Sequence, residues 1–178
     1  MPDKTGAMID DKVCAALNKQ LRSELYSGYL YAAMYSYFES RTLKGFANWM
    51  QIQVQEELAH AQKLIEYILE RGGKPEFGSI DAPPTEWESP LGVYEAAYEH
   101  ERSVTQSIND LVDIAMAVRD HATATMLQWY VTEQVEEEAT FDQIVQQLGL
   151  AGDNGAALLM LDRELAARAF TPPGAVPK

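Results

Sequence analysis

Four stretches of this chain, each long enough for many helical turns, carry apolar residues at three- and four-residue steps, and acids stand inside those stripes. From about residue 10 to 38 there is no proline, and Leu17, Leu21, Tyr31 and Tyr35 recur at helical spacing. A second stretch runs from about 42 to 71 with Phe46, Met50, Leu64 and Tyr67 on one face, and Gly72, Gly73 and Pro75 stop it. The third extends from about 91 to 119. After a break at Asp120 and His121, the fourth ends near Leu148 and Gly149. A shorter fifth helix, about 154 to 170, follows a turn in which Asp153 or Asn154 can cap its start. Almost nothing else in the chain is periodic.

The connections decide how these helices pack. Short breaks after the first and third helices make antiparallel neighbours. Residues 74–90 hold Pro75, Pro83, Pro84 and Pro90 without a sustained period, and about seventeen residues can travel the length of a bundle. Each long helix spans roughly 40 Å at 1.5 Å per residue. The expected fold is all-α: a four-helix bundle with one long crossover connection and a short fifth C-terminal helix. A chain of 178 residues suits a single domain over 1–178, with residues 1–8 and 171–178 as frayed tails.

The stripes carry polar residues where a bundle core is apolar. Positions 17, 21, 24, 28, 31 and 35 read Leu, Leu, Glu, Gly, Tyr and Tyr, so Glu24 interrupts the first stripe. Positions 46, 50, 53, 57, 60, 64 and 67 place Gln53, Glu57 and His60 at the centre of the second. Glu101 shares a face with Tyr94, Ala97, Val104 and Ile108, and Glu137 shares one with Tyr130, Phe141, Ile144 and Leu148. An ionised carboxylate removed from water costs several kcal/mol even after relaxation, so four of them need a compensating cation. Lysine and arginine are nearly absent from the stripes until Arg71, which leaves metal. A Glu and a His three apart, as in Glu57-Leu58-Ala59-His60, lie on one helix face and reach one cation. Oxygen donors with one imidazole suit iron, manganese or zinc, and the absence of nearby cysteine disfavours a closed structural zinc site.

Charge narrows the partners. A formal charge of −13 argues against sequence-independent nucleic-acid binding and favours cations. No apolar run approaches the ~18 residues of a membrane span, so no membrane partner is expected. Cys14, the single cysteine, forms no internal disulfide, suits a reducing cytosol and reads as a small apolar helix residue.

With Glu24-Leu25-Tyr26, Tyr31, Glu56-Glu57-Leu58-Ala59-His60, His100-Glu101 and the run from Trp129 through Gln134 to Glu137, the chain resembles the bacterial non-haem ferritins over about residues 8–168. The resemblance implies a first iron on Glu24, Glu57 and His60, with Glu57 bridging to a second iron on Glu101 and Glu137. It puts Gln134 beside the pair, Tyr31 beside the first iron, and a third iron on Glu56, Glu133 and Glu136 with Glu137 shared. The implied activity is a ferroxidase that oxidises Fe(II) with dioxygen or peroxide and stores the ferric product as hydrated oxide mineral in a cytoplasmic homo-oligomeric cage of 24 subunits. Two metals bridged by one carboxylate sit about 3.5 to 4 Å apart, within reach of both atoms of one dioxygen.

Departures from related families sharpen this. Many di-iron bundles carry a second Glu-x-x-His where this chain has Gln134-Val135-Glu136-Glu137, so the two iron positions should be unequal and the second more labile. Leu58 stands where bacterioferritins place the methionine that ligates haem, so no haem is expected. Tyr31 and Trp129 either supply an extra electron or pack as aromatics. His100 is rotated off the metal face and is expected to hydrogen-bond behind it or outward. His121 reads as an exposed turn residue or part of a threefold channel, and Asp110 and Asp113 as a solvated face or mineral-nucleating acids. Two further readings remain at this stage: a discrete di-iron oxidase or oxygenase without mineral, and a non-catalytic metal-binding bundle.

Overall fold

The structure is a computed structural model that describes residues 8–172. Five helices follow in order: α1 (Asp11–Ser40), α2 (Lys44–Glu70), α3 (Pro90–Ala117), α4 (His121–Ala151) and α5 (Gly155–Leu165). No strand occurs among the described residues, and none of their helices is long and apolar enough to cross a membrane. The expected tails fall outside the described residues except for Met8, Thr171 and Pro172, which carry no regular structure.

Local chemistry sets most of the ends. The Asp10 carboxylate accepts from Lys12 N at 2.8 Å to start α1, Ser89 accepts from Gly92 N ahead of Pro90 to start α3, and Asp120 accepts from Thr123 N to start α4. Gly72, at φ +74°, closes α2 with Gly73 N donating to Ile68 O at 2.8 Å. Asn154, rather than Asp153, caps α5 through Ala156 N and Ala157 N. The fifth helix ends at Leu165, five residues short of the expected 170. Beyond it, Asn48 Nδ2 donates to the Ala166 and Arg168 carbonyls at 3.4 and 3.1 Å, drawing the chain out of helical register and onto α2.

The long connection behaves as a crossover. Ile9 N donates to Arg71 O, so α2 ends beside the start of α1. The connection leaves from there, held by Asn18 through Lys74 O (3.0 Å) and Glu76 N (2.8 Å), and reaches the other end of α1, where Trp87 packs edge-on against Tyr37. Thus α3 starts beside the end of α1 and runs parallel to α2.

Two apolar clusters fill the bundle on either side of its middle. One gathers Leu30, Phe38, Phe46, Trp49, Tyr94, Phe141 and the α5 residues Leu161 and Leu165; the other gathers Val13, Leu17, Leu21, Leu64, Ile68, Ile108, Leu111, Leu127 and Tyr130. The residues between them along every long helix are the polar ones.

Helix α2 begins without a local cap, because Leu43 offers no side-chain acceptor. Asp162 of α5 supplies it, Oδ1 accepting from Gly45 N (2.8 Å) and Phe46 N (3.0 Å). This approach requires Gly45: a Cβ there would lie 1.5 Å from the Asp162 carbonyl oxygen. A Gly→Ala change inside a helix ordinarily stabilises by about 0.5–1 kcal/mol. Gly45→Ala is expected to do the reverse, weakening α5 docking by about 1–3 kcal/mol, seen as faster amide exchange over residues 155–165. Unchanged or slower exchange there would contradict this packing.

Candidate metal centre

The interrupted stripes converge. Glu24 from α1, Glu57 and His60 from α2, Glu101 from α3, and Gln134 and Glu137 from α4 all lie buried between the two apolar clusters. Glu24, Glu57 and His60 each offer one ligand atom within 4.8 Å of the others, the one such group found among the described residues. His60 Nδ1 lies 3.6 Å from Glu57 Oε2 and 3.9 Å from Glu24 Oε2. Its backbone carbonyl accepts from the Tyr130 hydroxyl at 2.8 Å, and Trp129 stands edge-on to its ring with Lys63 over the indole.

Neutral donors, not cations, hold the carboxylates. Gln20 Nε2 donates to Glu24 Oε1 at 2.8 Å, and Gln53 Nε2 donates to Glu57 Oε1 (3.2 Å) and Glu137 Oε2 (2.9 Å). Glu101 accepts from the Tyr31 hydroxyl and, at 3.0 Å, from Gln134 Nε2. None of these four carboxylates has a lysine or arginine ion pair among the described residues.

The electrostatics follow. Burial first, then the Glu57 charge, holds the Glu24 carboxyl well above the usual range, against His60 and Gln20. Burial and the charges of Glu101 and Glu137 do the same to Glu57. Burial also raises Glu101, and it raises Glu137 from 4.5 to about 8 with help from Glu101 and Glu56. Desolvation and the neighbouring acids push Tyr31 up too, so it remains a phenol that donates to Glu101. Such a cluster relaxes when divalent cations enter and protons leave.

The ferritin-like domain family matches residues 14–151. The chain belongs to the ferritin family. It is 45% identical over 161 residues to a bacterial non-heme ferritin of Bacteroides fragilis, covering 90% of this chain and 100% of that one. A bacterial non-heme ferritin of Escherichia coli O157:H7 is 37% identical over 158 residues, covering 89% and 96%. Among solved structures, a novel open pore ferritin from the hyperthermophilic archaeon Archaeoglobus fulgidus superposes with a TM-score of 0.90 at 52% identity, covering 92% of this chain and 99% of that one.

In this ferritin the remaining expected residues separate by position. Glu56, which stands off the apolar stripes, is half-buried and ion-paired: Arg168 Nη2 lies 2.5 Å from its Oε2. Arg168 arrives from beyond α5, far from any stripe. Glu133 is half-buried and Glu136 exposed. His100 Nε2 lies 2.8 Å from Ser27 Oγ, and the ring stands edge-on to Tyr31; burial lowers it to about 4, leaving it neutral. His121, Asp110 and Asp113 are exposed, and Cys14 is partly buried. The sequence reading gave no role to Gln20, Gln53 or Arg168. Gln20 and Gln53 each precede a buried glutamate by four residues on the same helix face, a repeated spacing that was available to find them.

Raised carboxyl pKa values favour the folded state below pH 4.5 and lose that contribution as pH climbs toward about 8, because the unfolded chain releases the protons first. His100 acts oppositely between about 4 and 6.5, where only the unfolded chain gains a proton. Metal-free stability should therefore fall by a few kcal/mol between about pH 5 and 8, because four raised carboxyls outweigh one lowered imidazole, with Glu137→Gln reducing the fall. Urea midpoints across that range check this, and a midpoint that rises to pH 8 would count against it.

Proposed function

We propose that this ferritin stores iron and acts as a ferroxidase on the way in, as one ferritin-like domain assembled with copies of itself into a 24-subunit cage. The observation that carries the reading is the gathering of Glu24, Glu57 and His60 in a layer that also holds Glu101 and Glu137, with no arginine or lysine among the described residues paired to any of them. Ferrous iron is the substrate. One ion takes Glu24, Glu57 and His60, a second takes Glu101 and Glu137, and Glu57 is shared.

Charge explains both capture and release. Four carboxylates match the charge of two ferrous ions, so filling the layer removes the repulsion that raises their pKa values. Two ferrous ions give one electron each to dioxygen, which takes up two protons and leaves as hydrogen peroxide; with peroxide as oxidant, two ferrous ions and two protons give two ferric ions and two waters. Two ferric ions exceed the charge of the carboxylates, so water is deprotonated to hydroxide and oxide, the first step towards hydrated ferric oxide. Tyr31 and Gln134 hold the orientation of Glu101, and a groove of about 310 Å³ lined by Thr105, Gln134 and Glu138 offers small oxidants an approach from the α3 and α4 side. Glu56, Glu133 and Glu136, with Glu137, form a third iron position.

Assembly is supported by the surface. Leu150, Leu159 and Met160 are 89%, 54% and 72% exposed at the α5 end of the lone chain, an apolar group suited to burial between copies. The net charge of −13 draws cations toward the shell.

Size-exclusion chromatography with aerobic ferrous addition tests the function: a particle of 24 chains should accumulate iron, whereas a small oligomer consuming oxygen without mineral would indicate a discrete oxidase. Glu57→Ala should slow ferrous oxidation more than about 100-fold, beyond what loss of a residue behind the ligands costs, while the shell still assembles. An intact rate would remove Glu57 from the chemistry. The second position has no imidazole, so crystals soaked aerobically in limiting ferrous iron should show it less occupied than the first. Equal, full occupancy would argue against the asymmetry.

A further inference from the structure

The segment after α5 returns over α2 and ends its approach on one arginine. The Arg168 guanidinium lies over the Trp49 ring, 4.1 Å from its centroid, and donates to Trp49 O at 3.3 Å, Gln53 Oε1 at 2.9 Å and Glu56 Oε2 at 2.5 Å. These contacts fall at positions 49, 53 and 56, one face of α2. Asn48 holds the Arg168 carbonyl, and Asp162 pins α5 to the start of the same helix, so the guanidinium is delivered from a docked element.

Gln53 is completely buried and uses both ends of its amide: Oε1 accepts from Arg168, and Nε2 donates to Glu57 and Glu137. Its orientation has only one solution. Guanidinium is donor-only and carboxylates accept, so a reversed amide would set its oxygen against two carboxylates and its NH₂ against a cation. Arg168 therefore locks the amide whose hydrogens hold two of the iron-binding carboxylates. The same guanidinium also neutralises Glu56, which the proposed third iron position requires.

Resting on the ferroxidase reading, we propose that Arg168 is a positioning residue with two linked effects: it orients Gln53 and so pre-sets Glu57 and Glu137, and it occupies Glu56 as a resident cation that an arriving metal ion must displace. Displacement frees the Gln53 amide, so an ion at Glu56 weakens the hold on the neighbouring pair. By linkage the effect is reciprocal: a firmly held pair keeps Arg168 on Glu56. The third position is thus a place where iron arrives at the expense of the pair's grip.

Anaerobic titration of the assembled protein with Co(II), followed by calorimetry and the visible d–d bands of each bound ion, reads the positions separately. Arg168→Gln is expected to tighten the third position about tenfold and weaken the pair about tenfold, the scale of losing a residue behind a metal ligand. Arg168→Lys keeps the charge but loses the fork that engages Gln53 and Glu56 together, so it should weaken the pair while leaving the third position within about twofold. Glu56→Gln should abolish the third position and leave the pair intact. Binding constants unchanged by both Arg168 variants would overturn the proposal. Should Arg168→Gln fail to assemble, the Arg168→Lys outcome decides alone. Wild-type protein that takes no Co(II) at the pair would overturn the ferroxidase reading along with this one; a pair that binds normally in every variant overturns only this one.

Discussion

Four carboxylates occupy the middle of a helical bundle, and among the described residues no lysine or arginine is paired to any of them. Each costs several kcal/mol to desolvate as an ion, so the layer opposes folding when it is empty and charged. The two apolar clusters on either side supply the opposing term, at about 1.5–3 kcal/mol for each fully buried large apolar side chain. Amide groups of Gln20, Gln53 and Gln134, the Tyr31 phenol and retained protons moderate the cost without cancelling the negative charge. The bundle is a rigid frame built around an electrostatic deficit, and cation uptake is the event that relieves it.

Much of this was legible in the sequence, for a definite reason. Helical period puts Glu24, Glu57, His60, Glu101 and Glu137 on stripes whose other members are apolar, and every one of them is buried. Connection lengths alone distinguished the one crossover from the two tight breaks. Glu56 shows where such reasoning stops. It is rotated about 100° from Glu57 and so leaves the central layer for the adjacent face of α2. There it meets Arg168, 112 residues away in the chain. Nothing periodic announces that meeting, because it depends on α5 ending at Leu165 and on Asn48 catching the chain beyond it.

The crossover also explains how four helices share one layer. By carrying the chain from the end of α2 back past α1, it sets α2 and α3 parallel, so their neighbours α1 and α4 run against both. Glu101 then meets Tyr31, Ser107 meets Gln20, and Gln53 meets Glu137 at the same height. Asn18, buried near the start of α1, fixes where that passage begins by holding Lys74 and Glu76. A polar residue in the first helix thereby ties the start of the crossover to the bundle.

The cap that Asp162 provides to Gly45 and Phe46 joins residues separated by 117 and 116 positions. Such a contact closes a long loop, which costs more chain entropy than a cap supplied by a neighbouring residue. The beginning of the second helix is therefore completed by the last helix among the described residues. During synthesis, a chain that has emerged only through α4 already has all four buried carboxylates but still lacks its α2 cap. The start of an early helix thus depends on a residue that is translated after all four carboxylate-bearing helices.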